Sequence, residues 1–141
     1  MEFNELAIRD QIQVIQDLNL ALPQVDIQTN HYLGGGVYER EVIVPEGTVI
    51  TGKIHLSEHL AKLVKGTMTI FSENAKGTIT GPVTFTSKPG DRRVGLAHDE
   101  CVFSTFHTVG DETDIEKIEQ MLVVDTEEQY RLHQDHREVL S

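Results

Sequence analysis

Turn signals interrupt residues 29–110 at short intervals, and this punctuation constrains the fold more than any other feature of the chain. Val, Ile, Thr and Phe gather in short runs at 37–44, 49–55, 60–64, 67–72, 77–79, 83–86, 93–96 and 101–108. Between them stand Pro45-Glu46-Gly47, Lys65-Gly66, Asn74-Ala75-Lys76-Gly77, Gly81-Pro82 and Pro89-Gly90. β-Branched and aromatic residues fit a pleated surface, and Gly, Pro and Asn supply the reversals. Many short strands this close together predict a sandwich or closed barrel, with no room for the helical crossovers of βαβ units. No repeat of solenoid period interrupts the pattern.

The flanks have a different texture. Ile8, Ile12 and Ile15 share one helical face, which predicts an amphipathic helix over 5–18, ended by Pro23. After residue 110 the chain turns acidic. Thr113-Asp114-Ile115-Glu116 reads as a capped helix start, 121–124 as a last strand, and 126–140 as a charged helix anchored by Tyr130, Leu132 and Val139. The expected organisation is one domain: an N-terminal helical segment (1–28), a β-barrel (29–124) and a C-terminal helix (125–141).

Charge and cysteine content narrow the function classes. The net charge of −11 argues against a long nucleic-acid partner, whose phosphates demand clustered Lys and Arg. Lys62, Lys65, Lys88, Arg92 and Arg93 still leave room for a small anion in a pocket. The apolar runs are too short to cross a bilayer, and acids interrupt the N-terminal segment where a signal peptide would be apolar. A lone cysteine, Cys101, fits a reducing compartment, so the expected location is cytoplasmic.

Seven histidines carry the chemistry. In Lys53-Ile54-His55-Leu56-Ser57-Glu58-His59, alternation puts Lys53 and His55 on one face of a strand, and a tight connection brings His59 back beside them. Two imidazoles joined so closely can converge inside a barrel, and neutral imidazole suits Zn, Fe, Ni or Cu.

These residues resemble the first motif of the cupin family, Gly-x5-His-x-His-x3,4-Glu-x6-Gly. Gly47, His55 and Gly66 keep its spacing, while Lys53 stands in the first histidine slot and His59 in the glutamate slot. The second motif, Gly-x5-Pro-x-Gly-x2-His-x3-Asn, is matched loosely by Gly81 and by 87–93, with Arg93 in the histidine slot. The chain is also similar to short cupin-like proteins of tailed phages, through Gly36-Val37-Tyr38, Ile54-His55, Pro89-Gly90, Arg93 and Phe106-His107, over roughly 33–124. The resemblance implies an all-β, single-domain double-stranded β-helix (a jelly-roll barrel) with flanking N- and C-terminal helices. It also implies a divalent transition metal (Zn, Fe, Ni or Mn) and, as the usual assembly, a homodimer.

With two ligand slots altered and the second motif's histidine missing, His107 is the candidate to complete a set with His55 and His59. It would sit on a strand pairing in a hairpin with 93–96 through the turn 97–100, and a one-residue slip would turn it outward. Glu58 beside the ligands is the candidate general base, and Lys53 the second catalytic candidate. Arg93, Arg92, Arg40 and Tyr38 are candidates for holding substrate, the guanidinium fork suiting carboxylate or phosphate. His98 reads as a surface turn residue and His31 as a non-ligand. His133 and His136 form an incidental i,i+3 pair, and Cys101 is a buried small hydrophobe. The leading expectation is a metal-dependent enzyme acting on a small polar or anionic molecule. Two rivals remain: a module sequestering a small ligand such as a nucleotide signal, and a structural protein without chemistry.

Overall fold

The computed structural model describes residues 2–22, 25–73 and 76–140, the last five by backbone alone. Helix α1 spans Ile8–Leu20 and buries Ile12 completely. The strands among the described residues are β1 Gln28–Gly34, β2 Val37–Val44, β3 Val49–Thr51, β4 Ile54–His55, β5 His59–Lys65, β6 Thr67–Phe71, β7 Lys76–Thr80, β8 Val83–Ser87, β9 Val94–Ala97, β10 Cys101–Thr108 and β11 Val123–Val124. Helix α2 (Ile115–Leu122) precedes β11, and α3 (Glu127–Leu140) ends the fold. Pro23, Asn74, Ala75 and the side chains of His136 and Val139 lie outside the described residues.

Two antiparallel sheets face each other. One has the order β1-β2-β10-β5-β8, the other β3-β9-β6-β7, and a two-stranded ribbon β11-β4 closes one end. The architecture is an all-β, single-domain jelly roll with helices at both flanks. Alternation decides what points inward. On β10 the inward residues are Cys101, Phe103, Thr105 and His107. On β5 they are His59, Ala61 and Leu63, with Leu60 and Val64 outside. The main core gathers Val42, Val44, Ala61, Leu63, Met68, Ile70, Ala97, Cys101 and Phe103 between the sheets. A second cluster packs Ile118 and Leu122 of α2 on Tyr38 and Val109. The Asp114 carboxylate starts α2 by accepting from the Glu116 and Lys117 amides, at 3.0 and 3.4 Å.

The structure departs from the sequence reading in several places. Residues 49–55 form two strands, because the chain breaks at Gly52-Lys53 where the Gly52 amide turns to the Arg93 carbonyl (2.8 Å). The expected hairpin of 93–96 with 101–108 is absent: β9 pairs with β3 and β6, β10 with β2 and β5, so the turn at 97–100 carries the chain from one sheet to the other. Met121 and Leu122 end α2, and only Val123–Val124 pair as a strand. Leu132 is exposed and anchors nothing, whereas Tyr130 lies partly buried against the Gly90 turn.

Candidate metal centre

His55, His59 and His107 arrive from three strands. His55 is on β4, whose partner β11 sets it opposite Val123. Its backbone is tied to the 88–93 turn, the amide donating to the Asp91 carbonyl (3.1 Å) and the carbonyl accepting from the Gly90 amide (2.7 Å). His59 opens β5. His107 sits near the end of β10, opposite Tyr38. Ring centroids lie 4.3 Å apart for His55–His59, 4.4 Å for His59–His107 and 6.0 Å for His55–His107. One ring nitrogen of each comes within 4.8 Å of the other two.

Hydrogen bonding shows which nitrogens are free. His59 Nδ1 lies 3.0 Å from the Ser57 carbonyl, which can only accept, so Nδ1 carries the proton and Nε2 keeps its lone pair. His107 Nε2 is engaged by Thr105 Oγ1 at 3.0 Å. That leaves His55 Nδ1, His59 Nε2 and His107 Nδ1, all buried and without a hydrogen-bond partner among the described residues. An unpaired buried polar atom costs about 1–3 kcal/mol, so three converging ones call for a common partner.

The rings are also in the protonation state a metal needs. Burial pushes His55 down to about 2, helped by the charges of Arg93, His59, His107 and Arg40. His107 is lowered to about 4, mainly by burial and then by His59, Arg93 and Arg40. His59 is lowered chiefly by burial, against its bond to Ser57. A three-histidine group of neutral, unpartnered imidazoles fits a divalent transition metal.

The group borders a cavity of about 310 Å³ between the sheets, lined by His55 and His107 and also by Tyr38, Arg40, Lys53, Arg93 and Glu119. Arg93 is held firmly. Its Nη1 donates to Ser87 Oγ (2.6 Å) and Asp91 Oδ2 (2.9 Å), and the guanidinium lies over the Phe85 and Phe103 rings at 5.7 and 5.6 Å. Those bonds engage one nitrogen and leave Nε and Nη2 available. The Tyr38 ring, 1% exposed, stacks beside His107, and its hydroxyl lies 2.6 Å from His31 Nδ1. Lys53 lines the mouth and pairs with Asp125 at 3.2 Å.

Two candidates stand elsewhere. Glu58 lies on the outer surface, its side chain 57% exposed and paired with Lys88 at 3.0 Å, because the tight turn that converges His55 and His59 aims the intervening residue outward. Unlike its neighbour Arg93, Arg92 is not among the residues that line the cavity. Its side chain is 1% exposed and bonds Gln13 of α1 (3.0 Å) and Glu127 of α3 (3.5 Å). Sequence reading missed Glu119, which α2 delivers to the cavity. The helical spacing of Ile115, Ile118, Glu119 and Leu122 was the available signal, since it places the carboxylate beside the buried face. His31 and His98 are exposed, His98 bonding Thr69 Oγ1 at 2.6 Å. Cys101 is buried, and burial with the Asp99 charge pushes its thiol up.

No protein-family model matches the chain, and no curated protein matches it in sequence. Solved structures do. A cupin superfamily protein from Desulfitobacterium hafniense superposes with a TM-score of 0.51 at 7% identity, over 62% of this chain and 82% of that one. KdgF from Halomonas sp. gives 0.51 at 16% identity, over 63% and 88%. Salicylate 1,2-dioxygenase from Pseudoaminobacter salicylatoxidans gives 0.53 at 10% identity, over 71% of this chain and 31% of that one. At these identities the likeness is one of fold, and the fold is that of the cupins.

Proposed function

We propose that this cupin-fold protein is a metal-dependent enzyme that holds a divalent transition metal on His55, His59 and His107 and acts on a small polar or anionic molecule in the barrel. The observation that carries the reading is the convergence of three buried imidazole nitrogens, unpartnered among the described residues, beside the cavity between the sheets. The ion supplies Lewis acidity there, polarising a substrate oxygen or lowering the pKa of a water. Three protein ligands leave positions open, the pattern of a catalytic rather than a structural site.

The remaining roles belong to the cavity wall. Arg93, fixed by Asp91 and two phenyl rings, holds an anionic group without having to be ordered first. Arg40 adds a second guanidinium at the same cavity. Lys53, exposed at the mouth, meets an incoming anion and exchanges it for Asp125. Glu119 takes the acid–base role that sequence adjacency suggested for Glu58, because it lines the cavity and Glu58 does not. Thr105 orients His107 through its hydroxyl. The finer expectations of a homodimer and of kinship with short phage barrels rest on the sequence resemblance, and sedimentation tests the first of them.

The decisive experiment is elemental analysis of untagged protein purified without chelators. Near-stoichiometric metal is expected, lost in a His55→Ala/His59→Ala variant that keeps its far-ultraviolet circular dichroism. Folded wild-type protein that takes up no transition metal overturns the reading. Metal without turnover of any small molecule leaves a binding protein.

A further inference from the structure

The residues of β2 and β10 that line the cavity form matched layers along it. His107 faces Tyr38, Thr105 faces Arg40, and Phe103 faces Val42. At about 3.4 Å per residue the arginine layer lies about 7 Å from the histidine layer, and the Phe103–Val42 layer about 14 Å. Along these two strands polarity falls from imidazoles through guanidinium to hydrocarbon, and the Arg93 guanidinium lies over the Phe103 ring at 5.6 Å, where the charged half meets the apolar one. The facing sheet continues the change, since Ile50, Met68 and Ile70 line the same cavity. Beyond Phe103 the space closes on Val44 and Cys101, both fully buried.

Such a chamber selects by mismatch as much as by contact. A polyhydroxylated molecule filling it would press hydroxyls against Val42, Met68, Ile70 and Phe103, which offer no hydrogen bonds. An uncharged apolar molecule would cover the guanidinium of Arg93 with nothing to replace its water. A short dianion would fill the charged half and leave the apolar half empty. At about 310 Å³ the chamber stands at the small end of ligand pockets.

We infer that the ligand is an amphipathic organic monoanion, a carboxylate with a compact hydrocarbon body, its charged end in the histidine–arginine half and its body against Phe103, Val42, Met68 and Ile70. The inference deepens the function proposed above and rests on it for the end at which chemistry occurs. Arg93 and Arg40 take the carboxylate, and the apolar half sets the length of the body. Specificity then lies in the residues farthest from the metal.

The test uses the full-length protein loaded with Co(II) and calorimetric titration with acetate, butanoate and hexanoate, with hexan-1-ol and glucose as comparisons. Affinity is expected to tighten about fourfold per added methylene, from the burial of about 0.8 kcal/mol of hydrocarbon each time. Hexan-1-ol and glucose should bind at least tenfold more weakly than hexanoate. Arg40→Met, at an exposed position chosen because a change at buried Arg93 threatens folding, should weaken hexanoate at least threefold and leave hexan-1-ol unchanged. A flat series from acetate to hexanoate, or glucose bound more tightly than hexanoate, overturns the inference. The Co(II) absorption band reports the metal separately. Cobalt uptake with a flat series sinks only the ligand assignment, whereas a fourfold series without cobalt uptake sinks only the metal centre.

Discussion

Histidines occupy two kinds of place in this molecule, and the contrast between them identifies the site. His31 and His98 stand at the surface, and each has a ring nitrogen engaged by a hydroxyl, of Tyr38 and Thr69 respectively. His55, His59 and His107 lie inside, crowd one another, and each keeps one nitrogen without a partner among the described residues. The surface pair needs nothing further. The inner trio carries three desolvated ring nitrogens that no contact among the described residues satisfies. Residue type is the same in both places; unmet hydrogen-bonding capacity separates them.

The sharpest way to break that contrast is to empty the inner position. His59→Ala is expected to reduce metal binding at least a hundredfold, read by elemental analysis and by competition with a chelator of known affinity. His98→Gln should bind metal as the wild type does, and equal losses in both variants would erase the distinction.

Acid tests the inner class next. Outside the fold these imidazoles take up a proton below about 6.5, but inside it His107 does so only near about 4 and His55 near about 2. The unfolded chain therefore binds more protons in that window. Stability is fully present above 6.5 and is lost as pH falls below it. Metal-free protein should lose about 3 kcal/mol of unfolding free energy between pH 7 and pH 5, measured by denaturant titration. His55→Asn/His107→Asn should flatten that slope.

A smaller effect tests what orients the inner rings. Thr105→Val removes the hydroxyl that engages His107 Nε2 and should weaken metal binding about tenfold with the fold intact. The smallest effect belongs outside. Glu58→Gln breaks an exposed pair with Lys88 and should change stability by less than about 0.5 kcal/mol, leaving metal stoichiometry unchanged.

The sequence was most legible where alternation and turn chemistry agree. The bounds of 37–44 and 101–108 coincide with β2 and β10, both central strands with a buried face. Strand β1 was not anticipated, because Gln-Thr-Asn-His-Tyr-Leu-Gly at a sheet edge needs no apolar face. The preserved spacing around His55 and His59 made their convergence readable. His107 was placed by the period of β10, although its expected hairpin neighbour lies in the opposite sheet. Glu58 and Arg92 mark the limit of adjacency as a guide. A residue next to a ligand in sequence commonly points to the other face, and Glu119 came from a helix whose cap was legible but whose approach to the cavity was not.

One contact outside the barrel joins its periphery to this interior. Arg9 of α1 reaches Glu127 of α3, 118 positions along the chain, and the same guanidinium donates to the Gly90 carbonyl at 2.6 Å. The Gly90 amide in turn holds the His55 carbonyl. Tyr130 leans so closely over Gly90 that a methyl group there would come within 2.5 Å of its hydroxyl. Fraying at the extremities is a private event in most small domains. In this one the two arms are clasped behind the histidine wall, so loosening either arm slackens the strand that presents His55.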